Sequence, residues 1–193
     1  MKFYRIHSPR NYDFAHFGRL GTWEPKQSLG VCAECGMTTQ KRVPPLIIEW
    51  EPGADLIGDF VWTGIDFELV CKNEIAKELD KRFNGFKISP IDMFQEPNIK
   101  IPKNPKRSKN KRIYLPYEGP ELSELWIDSW IPLDEEKSEL NTEKVCSSCG
   151  FRFYTPKKTG LVLDKSGNTM YDFFRVPQFP AAIYCNEKVK SFI

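Results

Sequence analysis

Two CxxCG knuckles constrain this chain more than any other feature: Cys32-Ala33-Glu34-Cys35-Gly36 and Cys146-Ser147-Ser148-Cys149-Gly150. Two cysteines separated by two residues place both sulfurs within reach of one metal ion. The glycine that follows lets the backbone turn so that amides face the thiolates. Zinc takes four ligands in a tetrahedron, so one knuckle is half a site and two make a whole one. In the usual four-cysteine ribbon roughly 15–20 residues separate the pairs. Here 110 residues lie between Cys35 and Cys146. A whole fold is inserted between the halves, and the early segment must return against the last third of the chain. Cys32, Cys35, Cys146 and Cys149 are the expected ligands of one structural Zn2+. The alternatives are redox dithiols, disulfides, or two independent turns with buried thiols. Redox chemistry would need two separate centres, and matched knuckles favour the metal.

The 193 residues are 40% hydrophobic and 28% charged, an ordinary globular balance, and a single domain over 1–193 is expected. Fifteen Pro and twelve Gly favour turns and short strands over long helices. A net charge of +2 argues against a nucleic-acid scaffold or a membrane-surface protein. No apolar run suits a signal peptide or a membrane span, so a cytoplasmic protein with reduced thiols is expected.

Short apolar runs bounded by Pro and Gly predict strands at Phe3–Ile6, Leu46–Trp50, 59–62 (DFVW), 67–70 (FELV) and 86–88. Ile75, Leu79 and Phe83 recur every four residues with Ala76 beside them, which predicts a helix. Glu74 falls in its first turn and Lys81 and Arg82 in its last, as the helix dipole favours, with Gly85 as the stop. A hairpin is expected between 161–163 and 169–174, around Asp164-Lys165-Ser166-Gly167-Asn168. The segments 59–75 and 172–189 resemble each other loosely, each reading strand, connection, strand, then a helix opening after Cys71 or Cys185. Those two thiols read as packing residues, since no Cys-His signature accompanies either. His7 and His16, the two histidines of the chain, read as surface or core residues. The expected fold class is α+β: short, mostly antiparallel strands with two strand-to-helix units, tied by a split four-cysteine zinc-ribbon-like site.

Segment 96–112 carries Lys100, Lys103, Lys106, Arg107, Lys109, Lys111 and Arg112 with three prolines. It lacks interleaved aromatics and reads as an exposed, mobile loop more than a phosphate grip. Segment 118–143 is acidic and includes Glu124, Glu135 and Glu136. Within it, alternation predicts a strand that places Trp126 and Trp130 on one face. These two Trp read either as core or, with Glu135 and Glu136, as the candidate partner surface. No phosphate loop, dinucleotide fingerprint, HExxH or GxSxG occurs, so no catalytic residues are assigned.

The two knuckles, the DFVW segment, the FELVCKNEIAKEL unit ending in Gly85-Phe86, and the late DFFRVP…IYCNEKVKSF echo together resemble the double-CXXCG motif family. That family was first noticed as myxobacterial paralogues, and some members are immunity proteins of Sit (swarming-inhibition) toxin systems. The resemblance spans most of the chain. It implies zinc on Cys32, Cys35, Cys146 and Cys149, and a non-enzymatic protein that neutralises a cognate toxin by binding it. The other function class that the residues leave open is a zinc-ribbon nucleic-acid binder, for which segment 96–112 is the support.

Overall fold

A computed structural model describes residues 2–8, 13–19, 22–23, 32–37, 42–63, 68–104, 111–155, 160–164 and 170–193. In chain order the elements are β1 (Phe3–Ile6), β2 (His16–Arg19), β3 (Thr22–Trp23), β4 (Arg42–Val43), β5 (Leu46–Trp50), β6 (Phe60–Thr63) and β7 (Val70–Lys72). Then follow α1 (Asn73–Asp80), β8 (Lys87–Ser89), β9 (Ile91–Met93), β10 (Leu122–Trp126), β11 (Asn141–Val145), β12 (Arg152–Thr155), β13 (Phe173–Val176), β14 (Phe179–Asn186) and α2 (Glu187–Phe192). The chain is mostly strands with few helices. Among the described strands, pairing is antiparallel except for β2 with β6 and β5 with β9.

The largest sheet has the order β8-β10-β7-β6-β2-β5-β9. Its two outermost strands, β8 and β9, are consecutive in the chain and separated by Pro90 alone. The two edges must therefore meet, and β9 also touches β10. The sheet curls round on itself, which hides edge groups that would otherwise invite pairing with another chain. Strand period two sorts its side chains. Leu46, Ile48 and Trp50 of β5 point inward, with Phe17, Val61, Val70 and Leu122 from neighbouring strands. Leu69, Cys71 and Leu125 point outward, into a second core shared with α1 and the sheet β1-β14-β13.

Helix α1 presents Ala76 and Leu79, both fully buried, to that second core, with Ile75 and Phe83 packed at its margin. Its last helical residue is Asp80, so Gly85 is not the helix stop. Gly85 has φ +98°, and a Cβ there would come within 2.0 Å of the Phe173 carbonyl oxygen. Glycine serves at this position to let the chain pass against β13. Each helix directly follows a strand, β7 or β14. Among the described residues no helix is long and apolar enough to cross a membrane.

Several expectations need correction. The strand placed at 67–70 runs Val70–Lys72, because Val70 and Cys71 take the central ladder positions opposite β6 and β10. The expected hairpin between 161–163 and 169–174 is not formed by Leu163, which bridges to Leu133 instead. Phe173–Val176 turns back through Pro177 and Gln178 to pair with β14. The 164–168 turn assignment rests largely on residues 165–169, outside the described residues. The strand carrying Trp126 ends there, so Trp126 and Trp130 do not share one strand face. Trp130 instead bridges to Arg175 and is 42% exposed. Glu124 is no part of a solvated acidic face: it is 2% exposed and paired with Arg42.

Candidate metal centre

Two narrow ribbons carry the knuckles. The strands β3 and β4 pair antiparallel, and the first knuckle lies in the segment they join. The strands β11 and β12 form a hairpin whose loop is the second knuckle. β11 has every residue exposed, so this hairpin has little core of its own and needs another anchor at its tip.

Locally the knuckles are copies of each other. The Gly36 amide donates to the Cys32 carbonyl at 2.8 Å, and the Gly150 amide to the Cys146 carbonyl at 2.9 Å. The Cys32 amide donates to Met37 at 2.8 Å, and the Cys146 amide to Phe151 at 2.8 Å. Gly36 has φ +73° and Gly150 φ +72°. A Cβ at either would meet nothing within 4 Å, so the left-handed backbone, not crowding, calls for glycine.

The two turns bring all four thiols together. Cys32 Sγ lies 3.7 Å from Cys146 Sγ, and Cys35 Sγ lies 3.5 Å from Cys149 Sγ. All four sulfurs lie within 4.8 Å of one another, close enough to hold one metal ion. A tetrahedral zinc with bonds of about 2.3 Å has sulfur–sulfur edges of about 3.8 Å. The Cys32–Cys146 and Cys35–Cys149 spacings of 3.7 and 3.5 Å are close to that value, whereas a disulfide needs about 2.05 Å. The donor set therefore fits a four-coordinate thiophilic metal such as zinc.

The electrostatics also favour thiolates at one corner. Amides of Cys35 and Glu34 face the Cys32 sulfur and bring its thiol down to about 7. At Cys35 the Met37 amide acts in the same direction, but desolvation and the neighbouring thiols outweigh it and the thiol is raised. Cys146 and Cys149 are likewise raised, against the pull of the Cys149 and Phe151 amides. A group of thiols this close cannot all ionise without a cation among them.

Glu34 links the two knuckles, a contact that motif reading passed over. Its carboxylate crosses from the first knuckle to the second and accepts from the Ser147 hydroxyl at 2.7 Å and the Ser148 hydroxyl at 2.7 Å. The Ser147 and Ser148 amides reach it at 3.4 and 3.2 Å. Those hydroxyls and the Ser147 amide hold its pKa down to about 2. An anion facing two polar residues in equivalent x-x slots was the signal available in the sequence.

The remaining candidate residues are scattered. Cys71 and Cys185 belong to the core beside α1, and burial pushes their thiols up to about 12 and about 11. Both are neutral packing groups far above the nucleophilic range. Trp126 is half-buried, with the Arg42 guanidinium 4.5 Å over its ring. Glu135 accepts from the Tyr154 hydroxyl at 2.8 Å and from Gln178 at 3.2 Å. Glu136 is exposed. Of the basic segment, Lys111 and Arg112 pair with Asp55 and Glu49, while Lys106, Arg107 and Lys109 lie outside the described residues. Comparison of the chain with protein-family models, curated proteins and solved structures finds no match.

Proposed function

We propose that this chain is a zinc-binding immunity protein that neutralises a cognate toxin by direct binding. The carrying observation is the four-thiol site where the two ribbon tips meet, beside the Glu34 bridge between them. Four cysteine ligands close a zinc ion's coordination and leave no position for water or substrate, so the metal's use is structural. A zinc here clamps the β3–β4 and β11–β12 ribbons to each other and fixes the surface around them. The toxin reading comes from the resemblance to the double-CXXCG family.

The contact surface narrows to the part of the acidic segment that reaches solvent. Trp130 and Glu136 are exposed, whereas Glu124 is inside and Glu135 is held by Tyr154 and Gln178. An exposed Trp is the residue type on which binding energy concentrates, and the neighbouring carboxylates suit a basic toxin surface. For the nucleic-acid reading, Lys111 and Arg112 pair with Asp55 and Glu49, whereas Lys100 and Lys103 are exposed to solvent.

The test is co-expression with candidate toxins taken from the neighbouring genes. Growth rescue by the wild type, lost in Trp130→Ala with Glu136→Lys while folding and zinc content persist, is the expected result. Failure to rescue, or failure to bind the toxin, overturns the reading.

A further inference from the structure

The two sheets leave between them a cleft of about 420 Å³, within the roughly 300–1,000 Å³ of small-molecule sites. One wall is the outer face of the curled sheet. Val61 of β6 points inside, so Phe60 and Trp62 on either side of it face out, their ring centroids 6.3 Å apart and tilted by 31°. Across the parallel ladder, His16 of β2 stands beside Trp62 on that face, while Phe17 points in. The opposite wall is β1 and α2, carrying Tyr4 and Lys190. The Lys190 ammonium lies 4.1 Å from the Tyr4 ring centroid, and among the described residues no carboxylate forms an ion pair with it. His7, at the end of β1, completes the rim. Both histidines of the chain, His7 just after β1 and His16 in β2, therefore meet one cleft. The single carboxylate side chain on the described lining, Asp59, is paired with Lys72 at 2.7 Å.

We propose that this cleft binds a small planar aromatic anion. The Phe60–Trp62 strip and the Tyr4 ring flank a planar ring, which can stack on their aromatic faces. Lys190 supplies the charge for the anionic group, and His7 and His16 line the rim, the His7 Nδ1 lying 2.9 Å from the Ser8 carbonyl oxygen. An aromatic ring without an anion leaves the Lys190 charge without a counter-ion, and an anion without a ring leaves the half-buried Phe60–Trp62 strip without a stacking partner. The inference does not depend on the toxin reading, because the site lies on other elements and the test needs no toxin.

The test uses the full zinc-bearing chain and three probes: AMP, adenosine and inorganic phosphate, followed by calorimetry and by tryptophan emission. AMP should bind saturably with quenching, and adenosine and phosphate about tenfold more weakly or worse. Lys190→Gln should bring AMP to the affinity of adenosine and leave adenosine unchanged. Trp62→Leu should weaken both. Lys190 is an exposed helix residue, so Lys190→Gln decides the matter even if Trp62→Leu fails to fold. Absence of saturable AMP binding overturns the proposal, as does equal binding of AMP and adenosine, or an AMP affinity that Lys190→Gln does not change.

Discussion

Arg42 sits at the base of the first knuckle's ribbon with its guanidinium between Glu68 and Glu124 and its face on the Trp126 ring. The side chains of Arg42, Glu68 and Glu124 are only 11%, 4% and 3% exposed. Arg42→Met keeps much of the volume and removes the charge. It leaves Glu124 buried without its ion-pair partner, and removing one member of a buried pair costs about 3–5 kcal/mol. For a chain of this length, 3 kcal/mol corresponds to a fall in Tm of roughly 6–12 °C. The effect should also depend on pH. Burial already raises Glu124 above its ordinary value, against the opposing pull of Arg42. A raised carboxyl contributes stability below its unfolded pKa and loses it as pH rises through the folded pKa. Without Arg42 the carboxyl rises further, so the deficit of Arg42→Met should be larger at pH 8 than at pH 5. Urea unfolding of both proteins at the two pH values, with zinc held constant, measures it. The triple variant Arg42→Met/Glu68→Gln/Glu124→Gln should recover much of the loss. A deficit under about 1 kcal/mol, or one that grows as pH falls, would refute the buried-pair reasoning.

Further expectations concern the knuckles. Gly36→Ala and Gly150→Ala should each cost about 1 kcal/mol in chemical unfolding, from the left-handed backbone alone, and Asn at either position should cost less than Ala. Glu34→Ala should lower metal affinity about tenfold in a competition titration against a chelator, since it removes the carboxylate that spans the two turns. Cys149→Ser should release the metal, while Cys185→Ser should keep it and lose only packing; elemental analysis of both variants separates the two roles.

The chain announces its four-cysteine cluster and its local elements far better than its pairings. The LIIEW run at β5 and the Ile75/Leu79/Phe83 face of α1 are legible because period two and period 3.6 are written into consecutive residues. The partner of a strand is not so written. Nothing near Lys87 or Met93 reveals that β8 and β9 close a curled sheet across Pro90. Leu163 looks like one arm of a local hairpin and instead bridges to Leu133. Buried charge is hidden for the same reason. Glu124 sits in an acidic run that looks solvated, and only its distant partner Arg42, from another strand, draws it inside. The knuckles escape this limit because a metal needs four sulfurs, which makes two halves 110 residues apart predict each other.

The central claim is a metal that ties the two ribbons through four cysteines. X-ray absorption at the zinc edge, with elemental analysis of the same purified sample, tests it most directly. The account predicts about one zinc per chain with four sulfur neighbours at about 2.3 Å and no nitrogen or oxygen in the shell. A metal-free protein that remains folded, or a shell containing a histidine nitrogen or water in place of a sulfur, would contradict it.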